Sequence, residues 1–116
     1  MNLAAVIADL APTGRLRAAI NFDNPILASK DPETGAPGGV SAELSRELAR
    51  RLSLPIEFLP YHAAGKVVEG LQTAAWDVCF LAIDPKRAEL IAFTAPYVVI
   101  EGAYLVPCIL ELNDLR

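Results

Sequence analysis

The sequence predicts an α/β fold: a mostly parallel sheet in three layers, with helices on both faces. Two observations support this prediction. Short apolar runs typical of buried strands alternate with segments of helical periodicity, in the order β, α, β, α, β, short α, β. The chain has 116 residues, of which 53% are hydrophobic and 21% charged, a composition typical of one packed domain. We therefore expect a single domain over residues 1–116.

The chain is predicted to begin with a helix and a buried strand. Apolar residues recur at helical spacing between Leu3 and Leu10, and Pro12 and Gly14 are expected to end this helix. The apolar run LRAAI at residues 16–20 predicts the first strand. A long loop rich in Pro and Gly follows over residues 21–39, where we expect turns rather than a phosphate-binding loop.

The second helix is predicted over residues 41–52. Its leucines recur at intervals of four, which predicts one buried stripe of Leu44, Leu48 and Leu52. Ser41 is the predicted N-cap. Glu47 precedes Arg50 and Arg51 by three and four residues, which predicts surface ion pairs worth a few tenths of a kcal/mol each.

Strands and helices are expected to alternate again in the next part of the chain. The segment IEFLPY after Pro55 alternates in polarity and predicts the second strand. A helix is predicted over residues 63–75, with Gly70 lowering its stability. The apolar run WDVCFLAI, which begins at Trp76, predicts a central strand covered on both faces.

Two further elements are predicted near the end of the chain. Asp84 and Pro85 suit the N-cap and first position of a third helix that continues to Ala92. Residues 97–106, from Tyr97 to Val106, are rich in β-formers and predict one long strand or two short ones.

Charge and hydropathy exclude several classes of partner. The net charge is −4 and the basic residues are dispersed, which argues against binding of nucleic acid or anionic membrane. The apolar stretch over residues 92–110 is interrupted by Pro96, Glu101 and Pro107, so we predict no membrane-spanning helix. The N-terminus has no signal-peptide pattern, which indicates a cytoplasmic location if Met1 is the native start.

The motifs of catalysis and of cofactor or metal binding are missing from the sequence. It contains no GxSxG, HExxH or paired Cys–His pattern. Cys79 and Cys108 lack metal-ligand spacing, and a disulfide between them would need an oxidising compartment. His62 is the lone histidine, which favours a surface or structural role. We therefore predict no catalytic residue, no cofactor and no metal.

Three segments of the sequence resemble a known family, in the same order along the chain. They are GRLRAAINFDNPIL, TGAPGGVSAELSRELARRLSLPIEFLPY and WDVCFLAIDPKRAELIAFTAPY, and the most specific match is DPKRAELIAFTAPY. Together they are similar to the opening lobe of the extracellular solute-binding proteins, family 3, that serve amino-acid ABC importers. The resemblance covers residues 14–107. It implies a lobe of the periplasmic binding protein type II kind, a periplasmic location and an ABC permease as partner.

The resemblance also implies ligand-binding residues. Arg87 matches the arginine that clamps the α-carboxylate of the ligand, beside backbone N–H groups at a helix start that also favour an anion. The alternative is an ion pair between Arg87 and a surface acid such as Glu89. Phe22 and Asn24 lie in the loop that supplies ligand contacts, and their alternative roles are loop packing and an Asx-turn.

Two positions depart from the family pattern. Asp84 stands where the family has small hydroxyl residues, and its charge would repel a carboxylate. The aromatic platform after the second strand maps near Ala64, and Tyr61 or His62 is expected to take its place.

The resemblance implies a non-catalytic module that binds a small carboxylate-bearing, amino-acid-like solute. The chain ends about where the second lobe should begin, so we expect the second lobe to be absent and binding to be weak. One alternative is a self-associating or regulatory remnant, a homodimer joined through the strand from Tyr97 to Val106. Another is a dehydratase-like enzyme, for which Glu101 and Asp84 are the candidate acids.

Overall fold

The computed structural model describes residues 2–101, 103 and 105. The strands are β1 (Leu16–Asn21), β2 (Ser29–Lys30), β3 (Pro37–Gly38), β4 (Ile56–Tyr61) and β5 (Val78–Cys79). The helices are α1 (Leu3–Leu10), α2 (Val40–Arg51), α3 (Ala64–Glu69) and α4 (Pro85–Ala88), with a 3₁₀ turn at Gly70–Thr73 after α3. The chain divides into two compact units, Met1–Ala82 and Ile83–Arg116.

The main sheet has three parallel strands in the order β4-β1-β5. β1 pairs with β4 along its whole length, from Leu16 opposite Ile56 to Asn21 opposite Tyr61. β5 pairs with β1 at only two positions. The predicted first and second strands are confirmed. The prediction that the Trp76 run forms the central strand is wrong, because an apolar run indicates burial and not strand order; β1 is central.

Helical segments cover both faces of the sheet. Phe58 and Tyr61 are three residues apart in β4 and so lie on opposite faces. The guanidinium of Arg46 in α2 stands 5.0 Å from the centre of the Phe58 ring, which places α2 on one face. Gly70 lies against the Tyr61 hydroxyl, which places the end of α3 on the other face. The predicted α/β fold in three layers is confirmed.

Small residues of α2 face the sheet in place of the predicted leucine stripe. The buried residues of α2 are Ser41, Ala42, Ser45 and Ala49. Leu44 is 43% exposed, whereas Leu52, directly after the helix, is buried. A face without long side chains lets a helix lie close to a sheet, and leucine spacing alone cannot reveal that. Leu44 and Leu48, which is only half-buried, are thus outside the fully buried core.

The start and surface of α2 also differ from expectation in part. The N-cap is Gly39 and not Ser41, and Gly39 has a φ of 89°. A Cβ at Gly39 would lie 2.8 Å from the Leu27 carbonyl oxygen, so both space and backbone conformation require glycine there. The predicted ion pairs of Glu47 are confirmed, since its carboxylate accepts hydrogen bonds from Arg50 and Arg51. These bonds lower the pKa of Glu47 to about 2.

Three elements are shorter or less regular than predicted. Helix α3 gives way to a 3₁₀ turn at Gly70, and α4 is one turn long, ending at Ala88. The strand predicted from Tyr97 to Val106 is not present in residues 97–101, 103 and 105, and its other positions lie outside the described residues. A strand needs a neighbour to complete its hydrogen bonds, and β-forming residues alone do not supply one.

An ion pair joins β5 to the central strand. The Asp77 carboxylate accepts hydrogen bonds from the backbone N–H of Arg17 (2.8 Å) and from both sides of its guanidinium (3.3 and 2.9 Å). The same guanidinium donates to the Ala74 carbonyl oxygen at 2.8 Å. The Asp77 side chain is only 3% exposed. The hydrogen bonds with Asp77 raise the pKa of Arg17 above its ordinary value.

Candidate functional site

The carboxyl ends of β1 and β4 meet at one edge of the sheet and position Phe22. The N–H of Phe22 donates to the Tyr61 carbonyl oxygen at 2.9 Å, which continues the ladder one residue beyond β1. The Phe22 side chain is half-buried and packs against the core formed by Ala18, Ile20 and Ala28. In open α/β sheets ligands bind outside this edge. Phe22 is therefore held firmly at the place where a ligand is expected.

Two polar side chains border the Phe22 ring. The His62 ring lies 6.3 Å from it, centre to centre, with the planes tilted by 36°. The Lys30 ammonium stands over the ring, 5.0 Å from its centre. We refer to Phe22, Lys30 and His62 as the Phe22 cluster. Its members come from three separate parts of the first unit.

A small antiparallel hairpin brings Lys30 to the cluster. β2 and β3 pair with Ser29 opposite Gly38 and Lys30 opposite Pro37. Asp31 closes the connecting turn, since its carboxylate accepts from the N–H groups of Glu33 and Thr34, which lowers the pKa of Asp31. Sequence reasoning missed both the hairpin and Lys30. The segment is too short and too rich in Pro and Gly to show a strand pattern.

Asn24 shapes the loop that follows Phe22. Its side-chain oxygen accepts a hydrogen bond from the Ile26 N–H at 3.2 Å, which is an Asx-turn. Its carbonyl oxygen accepts from the Ala28 N–H at 3.0 Å. One of the two roles predicted for Asn24, the Asx-turn, is therefore present, and its amide oxygen is already engaged within the loop.

Asp84 and Arg87 share the turn that begins α4, in the second unit. One oxygen of Asp84 accepts from the N–H groups of Lys86 (2.8 Å) and Arg87 (3.3 Å). Asp84 is thus the N-cap, as predicted, with Pro85 following. The two N–H groups therefore donate to the carboxylate of the cap. Arg87, in the same turn, is half-buried.

The four predicted site residues fall into two pairs. Phe22 and Asn24 lie in one loop of the first unit, and Asp84 and Arg87 lie in one turn of the second. Each pair is local in sequence, and each is held by the backbone hydrogen bonds of its own loop. Their role in ligand binding stays a prediction.

A shallow groove of about 500 Å³ lies at the opposite, amino edge of the sheet. Its walls come from α1, from Trp76 and from the paired Arg17 and Asp77. Because these two charges satisfy each other, they offer little to a ligand. Among the residues that the structure describes, no group of three or more His, Cys, Asp or Glu side chains is placed to hold a metal ion. None of the described helices has the length and apolar character needed to cross a bilayer.

Comparison with known proteins gives one family match. The model of the bacterial extracellular solute-binding proteins, family 3, matches residues 16–108. No curated protein matches the chain significantly.

Several solved structures have the same fold. An ancestral cyclohexadienyl dehydratase is 23% identical, with a TM-score of 0.68 over 84% of this chain and 39% of its own. An ancestral cationic amino-acid solute-binding protein is 26% identical, with a TM-score of 0.67 over 84% of this chain and 41% of its own. An arginine-bound mutant of domain 1 of TmArgBP is also 26% identical, with a TM-score of 0.67 over 79% of this chain and 71% of its own. The chain therefore spans about two fifths of the first two proteins.

Proposed function

Because the chain belongs to the bacterial extracellular solute-binding proteins, family 3, we propose that it is a non-catalytic lobe that binds a small, amino-acid-like solute through its carboxylate. The observation that supports this most is the position of Phe22 at the carboxyl edge of the sheet, fixed by its hydrogen bond to Tyr61. An aromatic ring held rigidly at that edge offers apolar contact to a ligand at little entropic cost.

The four site residues have different roles in this proposal. Phe22 contacts the body of the solute, and Asn24 holds the loop that carries Phe22. In the second unit, Arg87 is the residue proposed to bind a carboxylate, because a guanidinium offers two parallel donors to such a group. Asp84 caps α4 and so orients Arg87, without touching the solute. Its engagement as a cap also limits the repulsion that its charge would otherwise exert.

A single lobe serves as the binding unit in this proposal. One neighbour, of which this chain covers 71%, is itself one domain in an arginine-bound form. By analogy, one lobe can hold a solute before any second lobe closes over it. The family description supports a location outside the cytoplasmic membrane. Delivery of the solute to an ABC permease is a further part of the proposal.

Self-association is a second candidate role, and the second unit supplies the observation for it. Four consecutive apolar side chains are exposed there: Tyr97 (53%), Val98 (44%), Val99 (84%) and Ile100 (46%). Contiguous apolar surface of this kind commonly marks a protein interface. We propose that a second copy of the chain covers this segment in a homodimer.

The alternative hypothesis, a dehydratase-like enzyme, has less support. The neighbour that carries the name is 23% identical, and that likeness concerns the fold. Asp84, one of its two candidate acids, is engaged as the cap of α4, where its carboxylate accepts two backbone hydrogen bonds. Glu101, the other, is exposed to solvent.

Arg87→Ala tests the binding proposal. We expect the wild-type protein to be stabilised by at least one compound in a panel of amino acids and organic acids, measured by thermal shift and then calorimetry. The substitution should lower the affinity for that compound by at least about tenfold, because it removes charge-assisted hydrogen bonds.

Lys86→Ala is the matched control, since it removes an exposed cation from the same helix turn. The affinity of this variant for the same compound should stay near that of the wild-type protein. If no compound stabilises the wild-type protein, or if both substitutions weaken binding equally, the proposed role of Arg87 is wrong.

A further inference from the structure

We infer that Lys30 makes this site selective for solutes with a second, acidic group, such as acidic amino acids, over cationic ones. The inference rests on the proposed function, and it concerns the Phe22 cluster alone. Nothing in the sequence pattern singles out Lys30. Its position over the Phe22 ring is a consequence of the β2–β3 hairpin.

Lys30 occupies the place that a cationic ligand would take on Phe22. A cation binds an aromatic ring within about 6 Å of its centre, over the face. The Lys30 ammonium already stands there at 5.0 Å. His62 borders the same ring at 6.3 Å. A guanidinium or ammonium group of a solute would therefore have to displace Lys30 and would be repelled by it.

Lys30 has no ion-pair partner in the part of the chain that the structure describes. No described carboxylate lies within 4.0 Å of its ammonium group, and the ion pairs between described residues involve other cations. Asp31 is adjacent in sequence, but its carboxylate is bonded to the N–H groups of Glu33 and Thr34. Asp23, next to Phe22, is exposed, and its backbone N–H donates to the Asn21 side chain.

These observations together define the chemistry of the preferred solute. Phe22 offers an apolar surface that Lys30 partly covers, and the Lys30 ammonium adds a positive charge over the ring. A solute that places a carboxylate beside Phe22 gains an ion pair with Lys30. An uncharged side chain gains only the apolar contact, and a cationic one meets repulsion.

Calorimetric titration of the full chain with L-glutamate, L-glutamine and L-arginine tests the inference. L-glutamate and L-glutamine have the same shape and differ in charge. We expect the wild-type protein to bind L-glutamate at least about threefold more tightly than L-glutamine, as for one partly exposed ion pair, and more tightly than L-arginine.

Three variants at position 30 separate charge from packing. Lys30→Met should bring the ratio of L-glutamate to L-glutamine affinity to about one, and Lys30→Glu should favour L-arginine. Lys30→Arg should keep the wild-type order, since it keeps the charge. Arg15→Met is the matched control, because Arg15 is an exposed cation at the opposite end of β1. It should leave the ratio unchanged.

The possible results distinguish the two proposals. A wild-type preference for L-arginine, or an unchanged ratio in Lys30→Met, overturns the selectivity while the binding function stands. Absence of binding by all three amino acids and by the wider panel overturns both.

Discussion

Gly70 is a position where one missing atom shapes the packing of a whole face. Its φ of −61° suits any residue, so backbone freedom does not explain the glycine. Space does: a Cβ there would lie 2.8 Å from Nε1 of Trp76 and 3.1 Å from the Tyr61 hydroxyl. The indole N–H of Trp76 also donates to the Val67 carbonyl oxygen at 2.8 Å. The ring is thus fixed in the place that a larger residue at 70 would need.

Gly70→Ala is expected to lower the free energy of unfolding by about 1–3 kcal/mol, the range for overpacking a well-filled site. Gly65→Ala in α3 is the control, because a Cβ at Gly65 meets nothing within 4 Å. That change should raise stability by up to about 1 kcal/mol, since alanine favours helix. Urea unfolding followed by circular dichroism measures both. Equal effects of the two substitutions would contradict the packing role of Gly70.

Between elements, the chain relies on a few polar contacts as well as apolar packing. β5 forms only two residue pairs with β1, so the ladder itself holds it weakly. The Asp77 carboxylate adds three hydrogen bonds from Arg17 to this short ladder, at a side chain almost wholly buried. The ion pairs of Glu47 on α2, by contrast, are on the surface. The two kinds of pair should differ widely in their contribution to stability.

Asp77→Asn is expected to lower the free energy of unfolding by roughly 2–4 kcal/mol. The Arg17 guanidinium would keep its charge and lose its ionic partner in a site with little solvent. Glu47→Gln should have a much smaller effect, since solvent screens that exposed pair. Thermal and urea unfolding of both variants would check this. If Asp77→Asn lowers the stability no more than Glu47→Gln does, the ion pair of Arg17 and Asp77 does not hold β5 in place.

At the scale of the whole molecule, the second unit presents a run of exposed apolar side chains. Tyr97, Val98, Val99 and Ile100 are exposed in the second unit. The chain also spans about two fifths of the length of two neighbours of the same fold. We propose that a second copy of the chain covers this surface.

We expect the wild-type protein to elute as a dimer, with twice the chain mass of 12.4 kDa, in size-exclusion chromatography with light scattering at micromolar concentration. Val99→Lys should shift it to monomer, because a charge at an 84% exposed position disrupts an interface without disturbing a core. Leu90→Lys, also at an exposed apolar position, is the control and should leave the dimer intact. A monomeric wild-type protein would rule out the homodimer.

Particular elements show how far the sequence reaches. The strands at 16–21 and 56–61 were predictable because alternation or a continuous apolar run records burial directly. The Asp84 cap was predictable because its chemistry is local. The small-residue face of α2 was not, because close approach of a helix depends on the surface opposite it. The strand predicted after Tyr97 is absent from the described residues. A strand also needs a neighbour to pair with, which hydropathy does not reveal.

The sequence by itself determined the fold class, the two main paired strands and the loop and turn that carry Phe22, Asn24, Asp84 and Arg87, since all of these follow from local patterns. Only the tertiary structure decided that β1 is central, that Asp77 is bound to Arg17, and that Lys30 stands over Phe22. Each of these three features depends on strand order or on contacts between residues from separate parts of the chain. Such contacts depend on how elements pack, and packing is a property of surfaces that meet only in the folded molecule.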